Sequence, residues 1–135
     1  MTITAGIAVG CSASLTFTVG DPDTALALGS GDVPVLATPR LLAWLEAASV
    51  ECLSGSMAPG STSVGTRIEM EHQAASPVGA VVLVQAAVSY VDGRLVRFEV
   101  AAEHRIRDGD PVFVASGRIT RLIVDRERFL AKLTG

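Results

Sequence analysis

The chain has 135 residues, of which 49% are hydrophobic and 19% are charged, and its formal net charge is -3. This length suits one domain, so we expect a single domain over residues 1–135, and the composition excludes intrinsic disorder. The slightly acidic balance argues against nucleic acid or an acidic membrane as a partner. With so few charges, part of the surface is expected to lie against another subunit.

The N-terminal 19 residues are apolar but contain no Lys or Arg and are interrupted by Gly6, Gly10 and a Ser/Thr cluster. We therefore predict neither a signal peptide nor a membrane span, and expect a cytoplasmic protein. Cys11 and Cys52 fit no metal-ligand spacing. They are expected to be free thiols in a reducing compartment, and no metal or other cofactor is predicted.

The first two segments are a strand and a long loop. Ala13–Val19 alternates around Leu15, Phe17 and Val19, which predicts a strand. Gly20–Val35 is rich in Gly, Asp and Pro, and only its apolar patch Ala25–Leu28 could form a short turn of helix. At about 16 residues, this connection is longer than most, which favours a functional loop or lid.

The strongest helix signal covers Thr38–Ser54. Thr38 followed by Pro39 is typical of an N-cap and a first helical position, and Gly55 stands where a C-terminal stop is expected. The segment is apolar on nearly all sides, which predicts a buried helix. Glu46 is its only ionisable residue between Arg40 and Glu51.

A loop over Met57–Ser63 and four strands separated by turn residues should follow, with a short helix at the end. The predicted strands are Val64–Ser76, Ala80–Val91, Arg94–Arg107 and Val112–Val124, and the helix is Arg126–Leu133. Tight turns favour an antiparallel meander of consecutive strands. Long strands curl, so we predict an α+β fold in which a curved sheet wraps the central helix.

Four side chains are candidates for chemistry. The period-two pattern turns His72 and His104 towards the helix, and each could be either a hydrogen-bonded core histidine or a functional one. Glu46 on an apolar helix could lie at a solvated rim or subunit seam, or could orient an imidazole. Thr38 could cap the helix, stand beside an oxyanion, or do both.

The sequence lacks the motifs of several other catalytic and binding chemistries. It contains no Gly-x-Ser-x-Gly motif, no phosphate-binding glycine loop, no dinucleotide fingerprint and no His/Cys metal cluster. Four Phe, one Trp and one Tyr offer no stacking platform for nucleic acid.

Several short motifs resemble those of a known family. They are Val35–Thr38, the apolar helix reaching Glu46, Ser63–Thr66, His72–Gly79, Ala115–Gly117 with Arg121, and Glu127–Phe129. Together they resemble the hotdog-fold thioesterases, and within them the fluoroacetyl-CoA thioesterase family. The resemblance implies a hotdog fold and hydrolysis of an acyl-CoA. It also implies a homodimer, possibly pairing into a tetramer, with active sites at the subunit interface.

The resemblance also implies roles for particular residues. The family's catalytic residues fall on Thr38, Glu46 and His72, with His72 held by Glu46 and acting as base or nucleophile. Its substrate-binding positions fall on Gly65, whose N–H would approach the thioester carbonyl, and on Arg121, which would contact the CoA arm. His104 has no counterpart and is expected to be structural.

One departure from the family bears on the substrate. The family's lid before the catalytic Thr is rich in phenylalanine, whereas Thr24–Val35 contains none. We therefore expect a short or medium acyl group rather than fluoroacetyl selectivity. The alternatives are a non-catalytic module that binds acyl-CoA or a small apolar ligand, and a hotdog dehydratase or hydratase. The latter is disfavoured because the predicted helix contains no Asp.

Overall fold

The computed structural model describes residues 6–134, so the first residues of the apolar N-terminal segment lie outside the description. The elements in chain order are β1 (Ser12–Thr18), a 3-10 turn (Asp21–Asp23), α1 (Ala25–Leu28), α2 (Thr38–Leu53), β2 (Ser61–His72), β3 (Val81–Asp92), β4 (Leu95–Arg105), β5 (Val112–Asp125) and α3 (Arg126–Thr134). The α+β prediction is confirmed, including the short helical turn in the long loop. No helix within these residues has the length and apolarity needed to cross a membrane.

The sheet is antiparallel, with the order β1-β3-β4-β5-β2. The prediction of a four-strand meander is correct for β3, β4 and β5 and wrong for β2, which pairs with β5. In a four-strand meander β2 would pair with β3. In the structure β1 occupies that edge of β3 instead. Gly117 permits the β2–β5 pairing, because a Cβ there would collide with the Glu69 carbonyl. Because β2 and β3 are not neighbours in this order, residues 73–80 cross one end of the sheet to connect them.

The strand β2 is also displaced relative to the prediction. It begins at Ser61 rather than Val64 and ends at His72 rather than Ser76. Its register shifts between Gly65 and Arg67, which marks a β-bulge. His72 is consequently the last residue of the strand, and the four residues after it belong to the crossover.

The helix α2 lies on the concave side of the sheet and supplies the centre of the core. Its inward side chains are fully or nearly buried; they are Leu41, Trp44, Leu45, Ala48, Cys52 and Leu53. The Trp44 ring stacks on Phe17 of β1, with ring centroids 4.6 Å apart. The prediction of a helix buried all round is wrong for a single chain, because Val50 is 48% exposed on the side that the sheet does not cover.

The two cysteines lie together, although 41 residues separate them. The Cys52 thiol donates to the Cys11 carbonyl at 3.1 Å, and the Cys11 thiol donates to the Cys52 carbonyl at 3.5 Å. Both are free thiols, as predicted. Burial, together with the neighbouring Cys11, raises the pKa of the Cys52 thiol to about 11.

Candidate active site

The first group of site residues lies where α2 begins. Ala37 is the N-cap residue and provides no side-chain cap, so the predicted capping role of Thr38 is wrong. Thr38 is instead the first helical residue, ahead of Pro39. Its Oγ1 is therefore free of the helix backbone, and it forms a 2.8 Å hydrogen bond with Nδ1 of His72. We call Thr38 and His72 the Thr–His pair.

The imidazole of His72 is half-buried, and its two nitrogens have different surroundings. Nδ1 contacts Thr38, whereas Nε2 is buried and has no hydrogen-bond partner within residues 6–134. Burial lowers the pKa of His72 below its ordinary value, and a backbone contact with Ala74 opposes this shift only in part. The ring is therefore neutral at pH 7, which is the form that can accept a proton.

A cavity of about 300 Å³ opens beside the Thr–His pair. Its walls come from the long loop before α2 and from the segment that follows His72. Their side chains are mostly small or apolar; besides Thr38 and His72 the cavity is lined by Ala25, Ser30, Gly31, Val33, Val35, Leu36, Gln73, Ala74 and Ala75. The segment predicted to be a functional loop or lid thus lines a cavity that suits an apolar group.

A second cluster surrounds Glu46, two turns further along α2. Its Oε2 accepts a 3.2 Å hydrogen bond from Nη1 of Arg121, whose side chain is only 8% exposed. The same guanidinium donates through Nε to the Ser63 hydroxyl at 2.9 Å and through Nη2 to the Ser63 carbonyl at 3.1 Å. Burial lowers the pKa of Arg121, and the Glu46 carboxylate opposes that shift.

Gly65 of β2 lies directly against this carboxylate. A Cβ at Gly65 would stand 2.5 Å from Oε2 of Glu46, so no larger residue fits unless the carboxylate moves. We call Glu46, Gly65 and Arg121 the Glu–Arg cluster. Through these contacts Arg121 holds Glu46 in place. The CoA contact expected for Arg121 stays a prediction.

One chain does not bring Glu46 and His72 together. Thr38 and Glu46 are eight residues apart on α2, which corresponds to about 12 Å along the helix axis. The hydrogen bond of His72 goes to Thr38, and that of Glu46 comes from Arg121. Within one chain Glu46 therefore does not bond to His72, and the expectation that Glu46 holds His72 at a subunit interface stays a prediction. The five residues carried over from the family form two separate groups within one chain, the Thr–His pair and the Glu–Arg cluster.

The second histidine has a structural place, as expected. Nδ1 of His104 lies 2.6 Å from the hydroxyl of Ser76 in the crossover, and His104 is 3% exposed. Sequence reasoning missed both Ser76 and Ser63. No pattern in the sequence singles out either serine, and only the observed end of β2 and the position of Arg121 give them partners.

The sheet-wrapped helix and the paired Thr and His are compatible with a hotdog-fold thioesterase, and comparisons with known proteins agree. A family model for the fluoroacetyl-CoA-specific thioesterase FlK matches residues 19–127. The fluoroacetyl-CoA thioesterase of Streptantibioticus cattleyicolor is 32% identical over 99 residues, which are 73% of this chain and 68% of that protein.

Solved structures give the same result. A crystal structure of a point mutant of FlK superposes with a TM-score of 0.84 and 29% identity, over 96% of each chain. A Thermus thermophilus hypothetical protein, a thioesterase superfamily member, gives a TM-score of 0.85 and 25% identity, over 95% of this chain and 91% of that one. The protein is a hotdog-fold thioesterase. It belongs to the fluoroacetyl-CoA-specific thioesterase family, so the prediction of an enzyme is confirmed over that of a binding module.

Proposed function

We propose that the protein hydrolyses acyl-CoA thioesters with a short or medium acyl group, at a site built from Thr38, Glu46 and His72 at a homodimer interface. The observation that carries this proposal is the Thr–His pair beside an apolar cavity, with Nε2 of His72 buried and unpaired within residues 6–134. A neutral imidazole in that position has a free site for a reacting group.

The hydrogen bond to Thr38 is compatible with the tautomer that a base requires. When Nδ1 carries the proton and donates it to Thr38 Oγ1, Nε2 holds a lone pair directed away from Thr38. Nε2 then takes one proton from a water molecule as its oxygen attacks the thioester carbonyl. Collapse of the tetrahedral intermediate breaks the C–S bond and returns the proton to the CoA thiolate. Direct attack by Nε2 is the variant of this step that would leave an acyl-imidazole.

We infer that Glu46 reaches this site from the partner subunit. The strand β2 is an edge strand that pairs with β5 on one side, and residues 65–69 are exposed, including Ile68 at 37%. Such an edge favours pairing with a second copy. An antiparallel pairing of two β2 strands about a two-fold axis between Ile68 and Glu69 would place Gly65 of one subunit beside the partner subunit's His72.

The Glu–Arg cluster would then complete the site. Glu46 would accept the second hydrogen bond of the attacking water, whose other proton goes to the partner subunit's His72. Arg121 would hold the carboxylate through its fixed fork of donors. The Gly65 amide would donate to the thioester oxygen as negative charge develops, a role worth about 3 kcal/mol in comparable sites.

The size and lining of the cavity bear on the length of the acyl group. Solved structures of FlK point mutants hold fluoroacetate in one case and acetyl-CoA in another. The cavity beside the Thr–His pair is about 300 Å³ and has no aromatic or charged side chain in its lining apart from the His72 imidazole. This supports an uncharged acyl group longer than acetyl, without selectivity for fluoroacetyl. A cytoplasmic location, a tetramer and the lack of a cofactor stay predictions.

Release of free CoA thiol from a panel of acyl-CoAs tests the proposal. The panel runs from acetyl-CoA and fluoroacetyl-CoA to octanoyl-CoA, with wild-type protein and His72→Ala. We expect hydrolysis of short or medium chains, and a loss of about 100-fold or more in His72→Ala with the dimer intact. Near-normal hydrolysis by His72→Ala across the whole panel would contradict the assignment. So would tight binding of acyl-CoA by the wild type without thiol release.

A further inference from the structure

The buried contact between His104 and Ser76 joins the sheet to the two segments that carry the Thr–His pair. Nδ1 of His104, on β4, lies 2.6 Å from Oγ of Ser76, and their residues are 3% and 0% exposed. Two polar side chains rarely meet in so buried a place unless each satisfies the other. Burial lowers the pKa of His104, so the ring is neutral and can pair with a hydroxyl in either tautomer.

Ser76 is also attached to the segment that leads into α2. Its backbone carbonyl accepts the Leu36 amide at 2.8 Å, and Val35 forms a β-bridge with Pro77. Leu36 is buried and precedes Thr38 by two residues. The position of Ser76 therefore fixes where the first turn of α2 starts.

The same serine closes the segment that follows His72. The amides of Gln73 and Ala74 both donate to the Val114 carbonyl on β5, at 2.7 and 3.3 Å, and the chain reaches Ser76 two residues later. The segment carrying Thr38 and the segment carrying His72 thus converge on one buried serine. Only His104 bonds to that serine's side chain among residues 6–134.

We propose that His104 is a positioning residue, which acts through Ser76 to hold Thr38 and His72 in hydrogen-bonding register. This inference rests on the proposed function, because it assumes that the Thr–His pair is catalytic. His104 itself does not line the cavity and would touch no substrate. A small displacement of a catalytic pair can cost about 100-fold in rate, so loss of this contact should affect turnover more than binding.

Three variants and one matched control test the proposal. Ser76→Ala and His104→Leu each remove the contact, and His104→Asn restores a side-chain amide near the position of Nδ1. The control is Ser89→Ala, whose hydroxyl donates to the Arg97 carbonyl at 3.2 Å near the opposite end of the β3–β4 pair. It deletes a comparable side-chain hydrogen bond in the same hairpin without touching the Thr–His pair.

The first readout is kinetic. We expect kcat to fall about 10- to 100-fold in Ser76→Ala and His104→Leu, with KM within about twofold and partial recovery in His104→Asn. Ser89→Ala should keep wild-type kcat. An unchanged kcat in both Ser76→Ala and His104→Leu would overturn the proposal. A loss that Ser89→Ala reproduces would also overturn it, since it would reflect general destabilisation.

The second readout needs no substrate and so separates this inference from the proposed function. The chain contains two histidines, so either His104 variant leaves His72 as its only imidazole. We expect the His72 NMR titration in His104→Leu to move up towards 6.5 as its buried setting loosens, and to move back in His104→Asn. A wild-type His72 titration in His104→Leu would overturn the positioning role, even if the enzyme hydrolysed no acyl-CoA tested.

Discussion

The side chains of Thr38 and His72, which are 34 residues apart in the chain, are joined by a 2.8 Å hydrogen bond between Oγ1 and Nδ1. Thr38 stands at the first position of a helix whose cap residue is Ala37, so its hydroxyl has no capping duty. The sequence predicts that Thr38 caps the helix. In the structure its hydroxyl bonds to His72 instead.

This relationship predicts how Thr38 responds to substitution. Thr38→Val keeps the side-chain shape and removes the hydroxyl, so we expect kcat to fall about 10- to 100-fold because the His72 ring loses its orientation. The melting temperature should change little, since no cap is lost. Thr38→Ser, which retains the hydroxyl, is the control. Equal activity of Thr38→Val and Thr38→Ser would contradict a role for the hydroxyl.

The close approach of Gly65 and Glu46 predicts that a single methyl group added at residue 65 lowers activity strongly. In Gly65→Ala the new Cβ would stand 2.5 Å from Oε2 of Glu46, so the carboxylate that bonds to Arg121 must shift. We expect kcat to fall about 100-fold, because the carboxylate proposed to bind the attacking water is displaced.

Gly20→Ala is the matched control for that substitution. A Cβ at Gly20 would meet its nearest neighbours at 3.5 and 3.6 Å, which is ordinary contact. Its kinetics should match those of the wild type. A Gly65→Ala enzyme with wild-type kcat would show that the carboxylate position is not needed for turnover.

Substitution of Arg121 distinguishes two roles for this residue, holding Glu46 in place and contacting the CoA arm. A lysine has its three N–H donors on one nitrogen and lacks the planar fork that reaches Glu46 and both Ser63 oxygens from three nitrogens. Arg121→Lys should therefore lower kcat about tenfold or more through a misplaced Glu46. KM for acyl-CoA should stay within about twofold, since Nε, Nη1 and Nη2 of Arg121 already donate to Ser63 and Glu46. The opposite pattern, a raised KM with kcat unchanged, would support the CoA contact implied by the family.

Burial of both histidines makes the stability of the folded protein depend on pH. Their pKa values lie below 6.5 in the folded protein, so the unfolded chain takes up protons at a higher pH than the folded one does. Stability is therefore at its full value above pH 6.5 and declines as the pH falls towards the folded pKa values. Thermal melts between pH 4 and pH 8 measure this directly.

The same shift places the acid limb of kcat/KM below pH 6.5, because the rate is lost only when His72 becomes protonated. His104→Asn should retain that limb, since His104 does not react. An acid limb at pH 7 or above would contradict a buried, neutral His72 as the base.

The thiols should differ in reactivity. The Cys52 thiol is buried and its pKa is raised to about 11, whereas Cys11 is partly exposed. At pH 8 iodoacetamide should label Cys11 first and leave Cys52 largely unmodified until the protein is denatured. Equal labelling rates in the folded protein would contradict this packing.

Much of the fold could be predicted from local patterns. The turn at Asp92–Gly93 and the alternation on either side of it define the β3–β4 hairpin, and the apolar run after Thr38 defines α2. The placement of β2 could not be predicted in this way. It depends on β1 occupying the edge of β3 and on the missing side chain at Gly117, both of which are tertiary facts.

The site shows the same division. Residue patterns single out Thr38, Glu46 and the two histidines as candidates. The family resemblance adds Gly65 and Arg121 and gives each residue a role. Their grouping into a Thr–His pair and a Glu–Arg cluster depends on the end of β2 and on the eight-residue spacing along α2. A pattern of residue types does not encode those distances, and Ser63 and Ser76 acquire meaning only from them.

We propose that each active site joins the Thr–His pair of one subunit to Glu46 of the partner subunit. Mixing two inactive variants, His72→Ala and Glu46→Gln, under conditions that exchange subunits tests it most directly. A heterodimer of these variants contains one site with both an intact Thr–His pair and an intact Glu46. We predict recovery of up to about a quarter of wild-type activity in an equal mixture, since half the dimers carry one such site. If the exchanged mixture stays as inactive as the separate variants, the two groups do not act across the interface and the account is wrong.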